Sequence, residues 1–164
     1  MRKLLVAALV SLLAACAGNP FAGFDIAPGT PRDAVIARMG QPYRVVRLPG
    51  GERLQYSMQP YGRIAWMVDL DPSGRVTQAR QVLTEGNFHR IEPGKWTRED
   101  VEREFGRPAW VDGVASWNGP VMTYRWRDIA NSDMFYYVYL DPQGVVRRAH
   151  PGMEFINAPD DRPR

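Results

Sequence analysis

From Ile26 onward the chain passes through two hydrophobic periods, and it does so twice. Val35, Ile36 and Met39 fall on one face of a short helix, bounded by Thr30 and Asp33 at its start and Gly40 at its end. Thr30 is read as the cap, Pro31 suits the first helical position, and Gly40 supplies a left-handed stop. The period then changes to two: Leu54, Tyr56 and Met58, followed by Ile64, Trp66, Val68 and Leu70, alternate with more polar residues as half-buried strands do. Thr97, Glu99, Asp100, Val101, Phe105 and Gly106 repeat the helix. Met122, Tyr124 and Trp126, then Met134, Tyr136, Val138 and Leu140, repeat the strands in the same phase. A helix of about nine residues is unstable alone, so each must lie on its sheet.

The copies align motif by motif. Ile26-Ala27-Pro28-Gly29 recurs as Ile91-Glu92-Pro93-Gly94 at an offset of 65, and Gly40-Gln41-Pro42 as Gly106-Arg107-Pro108 at 66. Leu54-Gln55-Tyr56 matches Met122-Thr123-Tyr124 at 68, and Leu70-Asp71-Pro72-Ser73-Gly74 matches Leu140-Asp141-Pro142-Gln143-Gly144 at 70. An offset that only grows, and grows between motifs, is the mark of small loop insertions. The pattern predicts an α+β fold of two tandem repeats, over 26–90 and 91–157. Each is a short helix packed on a three- to four-stranded antiparallel sheet. The Asp-Pro-x-Gly segments are predicted hairpin turns, and they lack the spaced oxygen ligands of a calcium loop.

The first residues follow different rules. Arg2-Lys3 precede an apolar run from Leu4 to Ala15, too short to span a bilayer as a helix. This is the grammar of an export signal over 1–15. Leu13-Ala14-Ala15-Cys16 resembles the lipobox of bacterial lipoproteins, which implies cleavage before Cys16 and acylation of its thiol. Several acyl chains anchor a protein stably where one does not. Residues 16–25 read as a lipidated tether, and Ala17, where an Asp would favour retention at the inner membrane, implies the outer membrane. Residues 158–164, Pro-rich and charged, are expected to be disordered.

Composition narrows the function. Eighteen aromatics among 164 residues allow a real core. The net charge is +3, but without the two basic residues of the leader nineteen basic residues face eighteen acidic ones. The signs alternate along the chain rather than forming a basic stripe, so nucleic acid is excluded as a partner class. Cys16 is the one cysteine, so no intramolecular disulfide can form. His89 and His150 accompany no recognisable nucleophile, Pro49-Gly50-Gly51 lacks a phosphate-loop lysine, and Glu99, Asp100, Glu102 and Glu104 read as a solvated helix face. No catalytic group, metal site or cofactor is expected.

Each copy resembles the SmpA/OmlA (BamE-like) family of small outer-membrane lipoproteins. The likeness rests on Gly29, Val35, Gly40, Pro42, Tyr56 and Asp71 to Gly74, and again on Gly94, Val101, Gly106, Pro108, Tyr124 and Asp141 to Gly144. It implies a protein-binding or scaffolding role in outer-membrane or envelope assembly. The tandem arrangement is similar instead to β-lactamase inhibitor protein, which implies the alternative of a periplasmic enzyme inhibitor or modulator.

The copies differ on the outward phase of their third strand. The first carries Ala65, Met67 and Asp69, and the second Phe135, Tyr137 and Tyr139. Tyr and Phe offer large contact area at small entropic cost, and Arg is favoured at interfaces. Phe135, Tyr137 and Tyr139, with Arg125 and Arg127 on the neighbouring strand's outward phase, are therefore the candidate surface for a periplasmic or outer-membrane protein partner.

Overall fold

A helix of eight residues, α1 (Arg32–Met39), opens the first unit of the computed structural model, which describes residues 25–154. The leader, Cys16, nearly all of the tether and the tail lie outside that range. Pro31, in extended backbone, occupies the cap position of α1, so the helix starts one residue later than expected and Thr30 does not cap it. The Thr30 hydroxyl instead donates to the Ala27 carbonyl at 2.7 Å. The equivalent helix of the second unit, α3 (Arg98–Phe105), is capped as expected. Thr97 Oγ1 accepts from the Asp100 N–H, and the Asp100 carboxylate accepts from the Thr97 N–H at 2.8 Å. Between the units lies a single turn of helix, α2 (Glu85–Phe88), capped by Thr84.

Each unit contains a four-stranded antiparallel meander. The first comprises β1 (Arg44–Leu48), β2 (Gly51–Ser57), β3 (Ala65–Leu70) and β4 (Val76–Gln81). The second comprises β5 (Trp110–Gly113), β6 (Pro120–Arg127), β7 (Asp133–Leu140) and β8 (Val146–Met153). The register is interrupted at matching places, Asp69/Leu70 and Tyr139/Leu140, beside the Asp-Pro-x-Gly turns. In those turns Asp71 Oδ1 accepts from the N–H groups of Ser73 and Arg75, and Asp141 Oδ1 from those of Gln143 and Val145. Each aspartate's role is thereby accounted for by its own turn. Gly74 and Gly144 end the turns at φ 77° and 81°, where a side chain would be strained.

Val35 of α1 packs with Ile26, Leu54, Val68, Leu70 and Val76 to form a first core. A second, larger core joins Val101 and Phe105 of α3 to Met122, Tyr124, Trp126, Tyr136, Val138 and Leu140. Ala65 and Met67, outward on β3, belong to this second core, as do Val82, Leu83 and Phe88 of the connection. The layers therefore run α1, first sheet, α2 with α3, second sheet. Three expectations change accordingly. Ala65 and Met67 are fully buried because α3 covers their face. Met58, expected in the core, is 50% exposed, because it follows the last residue of β2. The acidic side of α3 is solvated only in part: Glu99 is exposed, but Glu102 and Glu104 turn towards the first sheet, where arginines meet them.

Candidate functional site

The outer face of the first sheet is a sealed seam. Arg53, outward on β2, is 4% exposed. Its guanidinium donates to Asp69 Oδ2 at 2.9 Å, to Glu104 Oε1 at 3.0 Å and to the Arg103 carbonyl at 3.0 Å. Burial opposes the charge on Arg53, and the bonds and charges of Asp69 and Glu104 outweigh it, holding the group more basic than usual. Gln55 Nε2 donates to the carbonyls of Glu102 and Arg103, both at 3.0 Å. Two donors of the first sheet thus converge on the Arg103 carbonyl at the C-terminus of α3, where helix carbonyls run out of intrahelical partners, and Gln55 shares the Glu102 carbonyl with the Gly106 N–H. Arg80 and Arg90 complete the ion-pair cluster around Glu104.

A second clamp closes the far edge of the seam. Gln59, 2% exposed, donates from Nε2 to the Arg125 carbonyl at 2.7 Å and accepts the Arg125 N–H at 3.1 Å. Its amide serves as a strand partner for β6. The Arg125 side chain chelates Glu154 and donates to the Pro60 carbonyl at 2.9 Å. Arg63 pairs with both Asp133 and Glu154. Arg125 is thereby committed to joining the units. Arg127 pairs with Asp133 at 3.0 Å and donates to Asn131, while remaining exposed.

The outer face of the second sheet carries a different surface. Phe135, Tyr137 and Tyr139 stand side by side on β7, all half-buried and partly covered by one another. The ring ladder starts at Trp110, edge-on to Phe135 with centroids 5.4 Å apart, and continues through Tyr137 at 5.9 Å and Tyr139 at 6.5 Å. Trp117 meets Tyr139 edge-on at 5.3 Å, anchored by its indole N–H on the Leu140 carbonyl at 2.7 Å. His150, cross-strand from Tyr137, stacks on Tyr139 at 5.3 Å. The Arg148 guanidinium lies 3.8 Å above the Tyr139 ring and 5.5 Å from that of Trp117, within cation–π range of both. Gly152 makes room for the ladder, since a Cβ there would stand 2.8 Å from the Tyr137 ring. Burial raises the Tyr137 phenol above its usual range, helped by the charges of Tyr139 and Glu154.

This placement brings Phe135, Tyr137 and Tyr139 together as one strip and draws Arg125 away into the seam. Trp110, Trp117, Arg148 and His150 complete the strip. The sequence held a signal for two of them, since Arg148 and His150 share the outward phase of β8 with Gly152. Among the described residues no group of His, Cys, Asp and Glu is placed to hold a metal ion. Nor is any described helix long and apolar enough to cross a membrane.

No family model matches the chain, and no curated protein matches it. Among solved structures, the crystal structure of a DUF4309 family protein from Bacillus subtilis is similar to it at 13% identity, over 84% of this chain and 86% of that one. The TM-score is 0.32, a likeness that carries no argument about fold or function.

Proposed function

We propose that the protein works by binding another protein rather than by catalysis, as a lipoprotein held by acylated Cys16 on the periplasmic face of the outer membrane. Its role on this reading is scaffolding in envelope or outer-membrane assembly, in keeping with the resemblance of both repeats to the SmpA/OmlA family. One observation carries the binding part: the ring strip of the second sheet. The matching face of the first sheet is closed by a helix, so a sheet of this kind can take a further layer on that side. The strip offers aromatic area already ordered by its own ring contacts, which lowers the cost of ordering it on association.

The test is co-purification from membranes with the wild type and with Tyr137→Ser/Tyr139→Ser. Barrel-assembly components retained by the wild type and lost from a folded double variant support the proposal. A soluble periplasmic enzyme captured through the same strip replaces assembly with enzyme modulation. Equal capture by both proteins removes the strip as the binding surface. Changing Cys16 to Ser should release the chain from the outer-membrane fraction; a variant that stays there and carries lipid defeats the anchoring part.

A further inference from the structure

Phe88 shows what the second unit needs to close its core. It comes from α2, upstream of the repeat itself, and is fully buried. Its ring stacks on Tyr136 at 4.1 Å and on Phe105 at 4.9 Å. It also meets Trp126 edge-on at 5.7 Å and Tyr124 at 6.1 Å. Four side chains thus form a socket for one phenyl ring.

The repeat alignment carries those four positions onto the first unit as Met39, Tyr56, Met58 and Trp66. All four line an open cavity of about 300 Å³, together with Tyr43 and Gln41. Each of the four positions whose ring meets Phe88 in one unit therefore lines the cavity in the other. The residue that would match Phe88 follows from the chain entry. Phe88 lies three residues before Ile91, and Ile91 matches Ile26; both isoleucines are buried at the same 7% exposure. Three residues before Ile26 is position 23, with Phe24 next to it and Phe21 two residues before it.

We propose that the cavity of the first unit is a socket for an aromatic ring, filled in cis by the segment 21–24 through Phe21 or Phe24. The lining suits a phenyl group on three counts. Met39 and Met58 provide flexible thioethers that make favourable contacts with ring edges, and Tyr56 and Trp66 provide rings. The Tyr56 hydroxyl is already committed to the Gly40 carbonyl at 3.1 Å, so that ring presents its apolar body to the cavity. Seating the segment gives the first core the ring that its own α1, with Met39 where α3 has Phe105, does not provide. If Cys16 is the lipid anchor, as proposed above, Phe24 lies eight residues from it, and a seated Phe24 leaves a leash of at most about 29 Å. The first unit would then be held close to the membrane, and the ring strip, on the far side of the second sheet, would face away from the socket.

The test uses the full chain in lipid nanodiscs with ¹³C-labelled methionine methyl groups. Phe21→Ala/Phe24→Ala should shift the methyl resonances of Met39 and Met58, because the ring current over them is removed. Those of Met67 and Met122, fully buried in the second core, should stay in place and report an intact fold. Single changes then identify which ring is seated. Unmoved Met39 and Met58 resonances overturn the proposal. Movement of all four methyls also overturns it, since that marks a general rearrangement rather than a local socket. None of these readings depends on whether Cys16 is acylated.

Discussion

The outer faces of the two sheets occupy matching positions in the repeat, yet one is an interior surface and the other a boundary. On the first, Arg53, Gln55 and Met67 meet the end of α3, and Asp69 holds Arg53 in place. On the second, the matching positions hold Val121, Thr123, Tyr137 and Tyr139. Charge and amide donors appear where a helix terminus with carbonyls to satisfy must be received. Rings appear where no such terminus arrives. A single repeat therefore supports two kinds of surface, and the next layer determines which chemistry its outward positions must supply.

The largest expected effect compares Met67 with its counterpart Tyr137. Met67→Ala opens a cavity in the core that both units share and should cost about 2–5 kcal/mol. Tyr137→Ala removes a half-buried ring from a surface ladder and should cost about 1 kcal/mol. Urea denaturation of the two variants measures both; equal losses would mean that the faces are equally interior and would end the comparison.

Arg53→Met sharpens it next. Removing the guanidinium leaves Asp69 and Glu104 without their main buried partner, at an expected cost of about 3 kcal/mol. Adding Asp69→Asn and Glu104→Gln should recover part of that loss, because the uncompensated charges go too. A triple variant no better than Arg53→Met alone would place the loss in packing rather than in charge.

The smallest effects compare the helix starts. Thr97→Ala removes a capping box and should cost about 1 kcal/mol, whereas Thr30→Ala, at a helix without a side-chain cap, should cost a few tenths (roughly 0.3). Acid separates them further. The Thr97 N–H bond lowers the Asp100 carboxyl below its ordinary value, with Arg103 adding to it and burial opposing. A carboxyl depressed in the folded state stabilises above its unfolded pKa of about 3.9, and that share is lost as pH falls through the lower folded value. Asp100→Asn should therefore flatten the acid limb of the stability profile below about pH 4. An unchanged acid limb would show that Asp100 contributes nothing to it.

Much of this molecule was legible in its sequence. The two periods, the growing offset and the turn motifs yielded the two repeat helices, the antiparallel sheets and, Met58 apart, the inward residues of the two central strands of each sheet. Val35 and Val101, aligned through Gly40 and Gly106, are both fully buried. Thr30 was misjudged because a cap and an extended Pro31 compete for the same position, and local sequence does not show which backbone wins. Of the candidate surface, the three rings on β7 could be read from alternation, but the fate of Arg125 could not. Its partners Glu154 and Pro60 lie 29 and 65 residues away.

The sequence by itself determined which residues share a face, because side chains alternate along a strand and recur along a helix whatever surrounds them. Only the tertiary structure decided which of those faces is covered. Alternation gives a strand two sides with no record of what lies beyond either. Ala65 and Met67 could be read as outward, and they are; that outward meant interior depended on α3, more than thirty residues further along the chain. Glu102 and Glu104 of α3 differ from the solvated-face expectation for the same reason. A run of charges is solvated or buried according to its neighbours, and Arg53 and Arg80 reach Glu104 only once both units have folded.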